Sequence, residues 1–215
     1  MIAHPQSTTV DLAQLDATSL VREPFEFAIV PGFVRASELA AILRDFPTIR
    51  RPGSFPVGAA PHGSGFQRLL DDLASPNLAR AIGRKFGVDV EHRPRLLTVR
   101  GWCRESDGAI HTDSAAKIVS LLLYLDPEWT QAGGRLRMLR SADDIDDVAA
   151  EAPAAGGTLV AFRRSDRSYH GHLPYAGRRR VVQLNWLESA RAARREERRH
   201  RVSAWLKGWL PPAAA

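Results

Sequence analysis

The sequence predicts a mainly β domain of the α+β class: helices first, then a β-core, then one closing helix. Three observations predict it. Apolar residues recur at helical spacing up to about residue 87, short β-rich runs separated by turn residues take over from about residue 95, and the final segment returns to helical spacing. At 215 residues the chain is long enough for one domain with a full core. We divide that single domain, 1–215, into a helical support over about 20–92, a β-core over about 93–188 and a basic C-terminal helix over about 189–210.

Residues 1–20 show no clear period and read as an arm. Phe25-Glu26-Phe27-Ala28-Ile29-Val30 is strand-like. Ser37 is placed to cap a helix whose Leu39, Ile42, Leu43 and Phe46 share a face, with Pro47 as the stop. The stretch 50–65, rich in Gly and Pro, reads as a long loop. Phe66, Leu69, Leu70 and Leu73 mark a second helix, and Ser75-Pro76 opens a third, with Leu78 and Ile82 inward and Gly87 as its C-terminal stop. The β-rich runs are 95–102, 117–125, 134–139, 157–162 and 179–187, punctuated by Asp126-Pro127, Gly133-Gly134 and Gly156-Gly157. Short strands with turns between them predict a sandwich or barrel. In the last segment, Val202, Trp205, Leu206 and Trp209 fall at i, i+3, i+4 and i+7, so this face is expected to dock on the body.

Composition removes several classes. Hydrophobic content of 44% with 25% charge fits a soluble globular chain, and no apolar run reaches membrane-spanning length. The N-terminus shows no secretory pattern, and a single cysteine, Cys103, rules out a disulfide framework or a Cys-rich zinc site, so a cytoplasmic location and no membrane partner are expected. The net charge of +6 could suggest nucleic acid, but residues 188–210 hold seven Arg/Lys against three Glu, which is +4 of it in one terminal segment. A solvated helix face accounts for such a run, and nucleic acid is not an expected partner. Asp143, Asp144, Asp146 and Asp147 lack the spacing, glycine and closing Glu of a calcium loop and read as an acidic turn.

The chemistry is concentrated in His111-Thr112-Asp113, His170, which follows Asp113 by 57 residues, and Arg180 ten residues further on. Two imidazoles and one carboxylate form the facial ligand set of a mononuclear non-haem Fe(II) site, with three positions left open. A cationic fork downstream is what a dicarboxylate co-substrate needs. HTD, KIVSLLLYLDPEW, GGRLRML and GTLVAFRRSDRSYHGHLPYAGRRRVVQLNW, over about residues 95–187, resemble the 2-oxoglutarate- and Fe(II)-dependent dioxygenases, in particular the prolyl-4-hydroxylase-like branch. The resemblance implies a double-stranded β-helix, the cupin-like jelly roll. It also implies Fe(II) held by His111, Asp113 and His170, and 2-oxoglutarate as co-substrate, with ascorbate a candidate reductant. Family position relative to Pro174 selects His170 over His172, which has the same strand parity and stays the runner-up.

Arg178, Arg179 and Arg180 compete for the far carboxylate of the co-substrate. Alternation places Arg180 with Val182, Leu184 and Trp186, read as the barrel-lining face, and Arg179 with Gln183 and Asn185 on the other face, so Arg180 is the expected co-substrate residue. Tyr124, in a Tyr-Leu-Asp that is similar to the family's Tyr-Leu-Asn, is expected to reach the same carboxylate. Arg100-Gly101-Trp102 stands where relatives often carry a tyrosine, and its role stays open. Residues 50–65 and 103–110 are expected to border the mouth as a mobile lid, with Cys103 a passive thiol and His4, His62, His92 and His200 outside the pattern. The implied activity is hydroxylation of a small-molecule or peptide/protein substrate with conversion of 2-oxoglutarate and O₂ to succinate and CO₂. Two alternatives are a non-oxygenase metal protein on a cupin-like barrel (a hydrolase or isomerase) and a catalytically silent interaction module.

Overall fold

The computed structural model describes residues 8–154 and 156–206. The N-terminal stretch is not an arm. Asp11 caps α1 (Leu12–Ala17) by accepting a hydrogen bond from Gln14 N, and Leu15 is fully buried. One and a half turns are too short to show a period in sequence.

Three further helices precede the core. α2 (Ala36–Arg44) begins just before Ser37, with Arg35 at the cap position. α3 (Ser64–Leu73) buries Phe66, Leu69, Leu70 and Leu73, the face that the sequence marks. α4 (Pro76–Phe86) starts as expected: the Ser75 side chain accepts from Leu78 N and Pro76 opens the first turn. It ends on Gly87, whose φ of 62° is the left-handed stop that glycine adopts without a Cβ penalty.

Nine strands follow chain order: β1 (Phe27–Val30), β2 (Phe55–Pro56), β3 (Arg95–Cys103), β4 (Lys117–Tyr124), β5 (Arg137–Leu139), β6 (Val148–Glu151), β7 (Leu159–Arg163), β8 (His170–Gly171) and β9 (Gly177–Leu187). Four of the expected runs appear as β3, β4, β7 and β9, and the 134–139 run contracts to β5. The strands build two antiparallel sheets, a larger one ordered β1-β7-β4-β9-β3-β2 and a smaller one ordered β6-β5-β8. An isolated antiparallel bridge between His111 and His170 extends the smaller sheet by one residue pair. The result is the jelly roll, a mainly β core with flanking helices.

The larger sheet is buried on both faces, and this fixes where every β9 side chain goes. Val119, Leu121 and Leu123 of β4 and Val182, Leu184 and Trp186 of β9 join Phe66, Leu73 and Ile82 in a core under the helices. Tyr124, Val160, Phe162 and Val181 join Leu136 and Met138 in a second core between the two sheets. Trp186 is fully buried, and burying a side chain of that size gives on the order of 3 kcal/mol.

α5 (Ala190–Leu206) lies against β2, β3 and β9. Of the expected docking face, only Val202 has a described side chain, and it does not point inward. Val202 is 49% exposed, while Glu196 is buried and His200 half-buried; the side chains of Trp205 and Leu206, and Trp209 altogether, lie outside the described residues. Arg191, Arg194, Arg195, Arg198 and Arg199 are exposed, in keeping with a solvated basic face. Among the described residues no helix is long and apolar enough to cross a membrane.

Candidate metal centre and co-substrate pocket

The turn before β4 and the two-residue β8 bring three donors together. One ligand atom each from His111, Asp113 and His170 lies within 4.8 Å of the others. The backbones of His111 and His170 bond to each other in both directions, at 3.0 Å each, so the two imidazoles start from one rung of the small sheet. Their ring centroids are 4.4 Å apart, and Phe162 closes the far side of His170 at 4.6 Å.

Each ring is held in one tautomer. His111 Nδ1 donates to Ala109 O at 2.8 Å and His170 Nδ1 donates to Ser168 O at 2.9 Å, so both Nε2 atoms carry a free lone pair. A backbone carbonyl on the remote nitrogen is the usual orienting partner of a metal-bound histidine. Burial, opposed by Asp113 and assisted by His111, pulls the His170 pKa down from 6.5 to about 4, so the ring is neutral near pH 7.

Asp113 is clamped on both oxygens. The buried Lys117 Nζ donates to Oδ1 at 2.7 Å, and Ser120 Oγ donates to Oδ2. The Asn185 amide sits 2.9 Å from the same hydroxyl. Burial alone would raise the Asp113 carboxyl, but Lys117 and His170 beside it, with the hydrogen bonds from Lys117 and Ser120, outweigh that and hold it below the ordinary carboxylate range. Two imidazoles and one ionised carboxylate fit a divalent iron ion in donor type and number. Neither Lys117 nor Ser120 stands out in sequence, because nothing in the strand pattern says which inward residues meet the turn.

The donors open into a cavity of about 120 Å³ that is also lined by Thr98, Arg100, His172, Arg179 and Gln183. Here the structure corrects the expected register. Arg179, not Arg180, faces the cavity, and it is 3% exposed. Its Nε donates to Gly134 O at 2.8 Å and its Nη2 to Tyr124 Oη at 2.9 Å, with Nη1 3.9 Å from Cys103 Sγ. Arg180 lies on the opposite face, where its backbone N and its Nε each meet Asp126 at 2.8 Å. The reason is the double burial of β9. Val182, Leu184 and Trp186 are the more apolar set because they pack under the helices, and Gln183 and Asn185 line the barrel interior. Tyr124 is fully buried behind Arg179, and burial raises its pKa against the pull of that cation.

His172 lies beside the cluster but outside the three-donor group. Its Nδ1 donates to Leu173 O at 2.8 Å, and burial together with Arg179 lowers its pKa to about 4. Arg100, left open by the sequence, lines the same cavity. The loop expected to be a mobile lid is stitched down at its end: His172 N donates to Gly108 O at 2.9 Å. Gly108 has φ of 91°, and a Cβ there would collide with the His172 ring. Gly108→Ala therefore combines backbone strain with a steric clash. It is expected to lower the melting temperature clearly, whereas Gly58→Ala, with open space around it, is not. Thermal denaturation of the two variants checks this.

The two depressed histidines set an acid limit on the metal-free fold. Their folded pKa values lie below the ordinary 6.5, so as pH falls the unfolded chain takes up protons first. Their contribution is intact above about 6.5 and is lost as pH falls toward about 4, each unit being worth about 1.4 kcal/mol per group. Urea unfolding in the presence of a chelator should show stability falling through this window. His172→Asn should flatten the slope.

Comparison with known proteins agrees with this geometry. The family model described as the 2OG-Fe(II) oxygenase superfamily matches residues 102–188. No curated protein matches the sequence. Among solved structures, a prolyl-4-hydroxylase from Pseudomonas putida is 19% identical, with 86% of this chain and 97% of that chain covered and a TM-score of 0.53. A prolyl hydroxylase from Trichoplax adhaerens, in complex with a hypoxia inducible factor oxygen degradation domain peptide fragment, is 17% identical over 87% and 91% of the two chains, with a TM-score of 0.55. The viral collagen prolyl hydroxylase of Paramecium Bursaria Chlorella virus-1, as a 2OG complex, is 13% identical over 75% and 96%, with a TM-score of 0.52. At these identities the shared property is the fold. The β-core, residues 102–188, thus matches the 2OG-Fe(II) oxygenase superfamily, on a fold that is similar to that of the prolyl hydroxylases.

Proposed function

We propose that His111 Nε2, the Asp113 carboxylate and His170 Nε2 hold Fe(II), that Arg179 and the Tyr124 hydroxyl hold the C5 carboxylate of 2-oxoglutarate, and that the enzyme hydroxylates a small molecule or a residue of a peptide. The observation that carries the co-substrate assignment is the state of Arg179. It is a buried guanidinium whose partners are a carbonyl, a phenol and a thiol, and no carboxylate pairs with it among the described residues. A buried charge without a counter-ion is costly, and a bidentate carboxylate is the ligand that relieves it. Tyr124, donating its hydroxyl proton while accepting from Arg179, adds a second contact to the same anion.

The remaining residues prepare the site. Lys117 and Ser120 fix the plane of the Asp113 carboxylate, and the two backbone carbonyls fix the imidazoles. Leu122, Leu136 and Val181 make the cavity partly apolar, which limits water around the bound anion. When bound, Fe(II) with 2-oxoglutarate supplies O₂ activation, in which 2-oxoglutarate and O₂ give succinate and CO₂ and the second oxygen atom goes to the substrate C–H bond. The prolyl hydroxylases among the structural relatives support a hydroxylation outcome, and the peptide bound by one of them supports a peptide as one substrate form.

The test is anaerobic addition of Fe(II) and 2-oxoglutarate followed by O₂. A visible charge-transfer band should form before O₂, and slow succinate formation should follow, requiring both Fe(II) and O₂. A protein that binds Fe(II) yet gives neither band nor succinate overturns the assignment and favours a non-oxygenase metal protein.

A further inference from the structure

Arg100 is a second guanidinium in the cavity, and the co-substrate reading leaves it without a task. It stands on β3, two residues from Thr98, whose cross-strand partner is Gln183, while Arg100 itself pairs with Val181. Arg179 lies two residues before Val181 and so on the same face of β9. The cavity wall formed by β3 and β9 therefore carries Thr98, Gln183, Arg100 and Arg179. Arg100 is held in place: Nη1 lies 3.2 Å from Asp107 Oδ2 and 3.6 Å from Cys103 Sγ, and Nη2 lies 3.4 Å from Ser54 Oγ, with the side chain 25% exposed.

The local charges do not cancel. Asp107 also accepts from Arg104, through Nε at 3.3 Å and the backbone N at 3.3 Å. Arg100 and Arg104 thus share one carboxylate, which leaves one positive charge in that trio. Arg179 is a second unneutralised charge. If the C5 carboxylate of 2-oxoglutarate is matched to Arg179, one cation lining the cavity still lacks an anion among the described residues. It shares the cavity with neutral hydrogen-bonding groups: the Ser54 and Thr98 hydroxyls and the Gln183 amide. One cation among neutral donors suits a group of charge −1 rather than a dianion.

We propose that Arg100, with Ser54, is the recognition site for a carboxylate of the prime substrate, so that the enzyme oxidises a carboxylic acid whose acid group docks beside the metal. This deepens the reading of the cavity as an Fe(II) and 2-oxoglutarate site and rests on it. Loop 50–63 supplies Ser54 and the β3 bulge between Arg100 and Trp102 turns the strand at that point, so substrate and co-substrate anions would be read by neighbouring strands.

The probe is a set of simple monocarboxylates (acetate, propionate and benzoate), each paired with its amide, added to the wild-type protein loaded with Mn(II) and 2-oxoglutarate without O₂. Paramagnetic relaxation of the probe protons by Mn(II) reports binding near the metal. The carboxylates should be relaxed and the amides not. Arg100→Gln should reduce the effect tenfold or more, Arg100→Lys should retain most of it, and the dissociation constant for 2-oxoglutarate should stay within about twofold of wild type in both. Equal relaxation in wild type and Arg100→Gln, no relaxation of any carboxylate, or inorganic phosphate displacing the probes more strongly than they displace one another overturns the carboxylate site. So does an Arg100→Gln protein that loses 2-oxoglutarate as severely as Arg179→Gln, because Arg100 then belongs to the co-substrate. Failure of the wild type to bind 2-oxoglutarate at all would instead remove the oxygenase reading beneath the proposal.

Discussion

Arg179→Ala weakens 2-oxoglutarate binding by about two to three orders of magnitude, while Arg180→Ala leaves it roughly unchanged. Removing Arg179 leaves the C5 carboxylate in a cavity without its counter-ion, and losing one member of a buried charged pair costs roughly 3–5 kcal/mol. At about 1.4 kcal/mol per decade this is the stated range in affinity. Arg180 sits on the opposite face and holds Asp126, which is itself buried. Its removal should therefore appear in the melting temperature and not in the co-substrate affinity. Titration calorimetry with Mn(II) in place of Fe(II), together with thermal denaturation, separates the two effects. Weakened 2-oxoglutarate binding in Arg180→Ala, with Arg179→Ala at the wild-type value, would mean that the register of β9 is wrong by one residue.

The second large effect is expected at the donor cluster. His111→Ala, Asp113→Asn and His170→Ala should each take Fe(II)-dependent succinate formation below detection, because three protein donors are needed for this kind of site. Asp113→Asn is preferred to alanine. Lys117 is buried against Asp113, and asparagine keeps an amide oxygen that can accept from its ammonium, whereas alanine would leave that ammonium without an acceptor and confuse loss of metal with loss of fold. His172→Ala should keep metal binding, since its ring lies outside the three-donor group. A dead His172→Ala with an active His170→Ala would exchange their roles.

Much of this was legible in the sequence, and the part that was not has one physical origin. α3 and α4 could be read because one face of each meets the core and the other meets water, so the period is visible. The positions of β3, β4, β7 and β9 could be read from β-rich runs between turns. The order of His111, Asp113 and His170 carried the site because their chemistry is rare outside metal centres. The face assignment of β9 failed because the strand has no solvent side. When both faces are buried, apolar content marks the helix-packed face, and the polar face belongs to the functional interior. The same ambiguity hid Lys117 and Ser120, two polar residues in an apolar strand whose partner is a turn residue. On α5, a helical spacing of large apolar residues placed Val202 inward, whereas the described part of the helix turns Glu196 and His200 toward the body.

The bond from His172 N to Gly108 O, with the His172 ring lying over the glycine, bears on how substrate preference could diversify on this scaffold. The 104–110 loop cannot change length or acquire side chains at Gly108 without displacing the strand that carries His170. Variation there is coupled to metal loading and is penalised. Ser54 also lines the cavity; beyond it, the exposed Gly58 has free space around it, whereas Ala60 is buried and a Cβ on Gly63 would meet Asp45. New specificities, whether selected in nature or in the laboratory, should therefore accumulate insertions and side-chain changes around Gly58 while 104–110 stays constant in length.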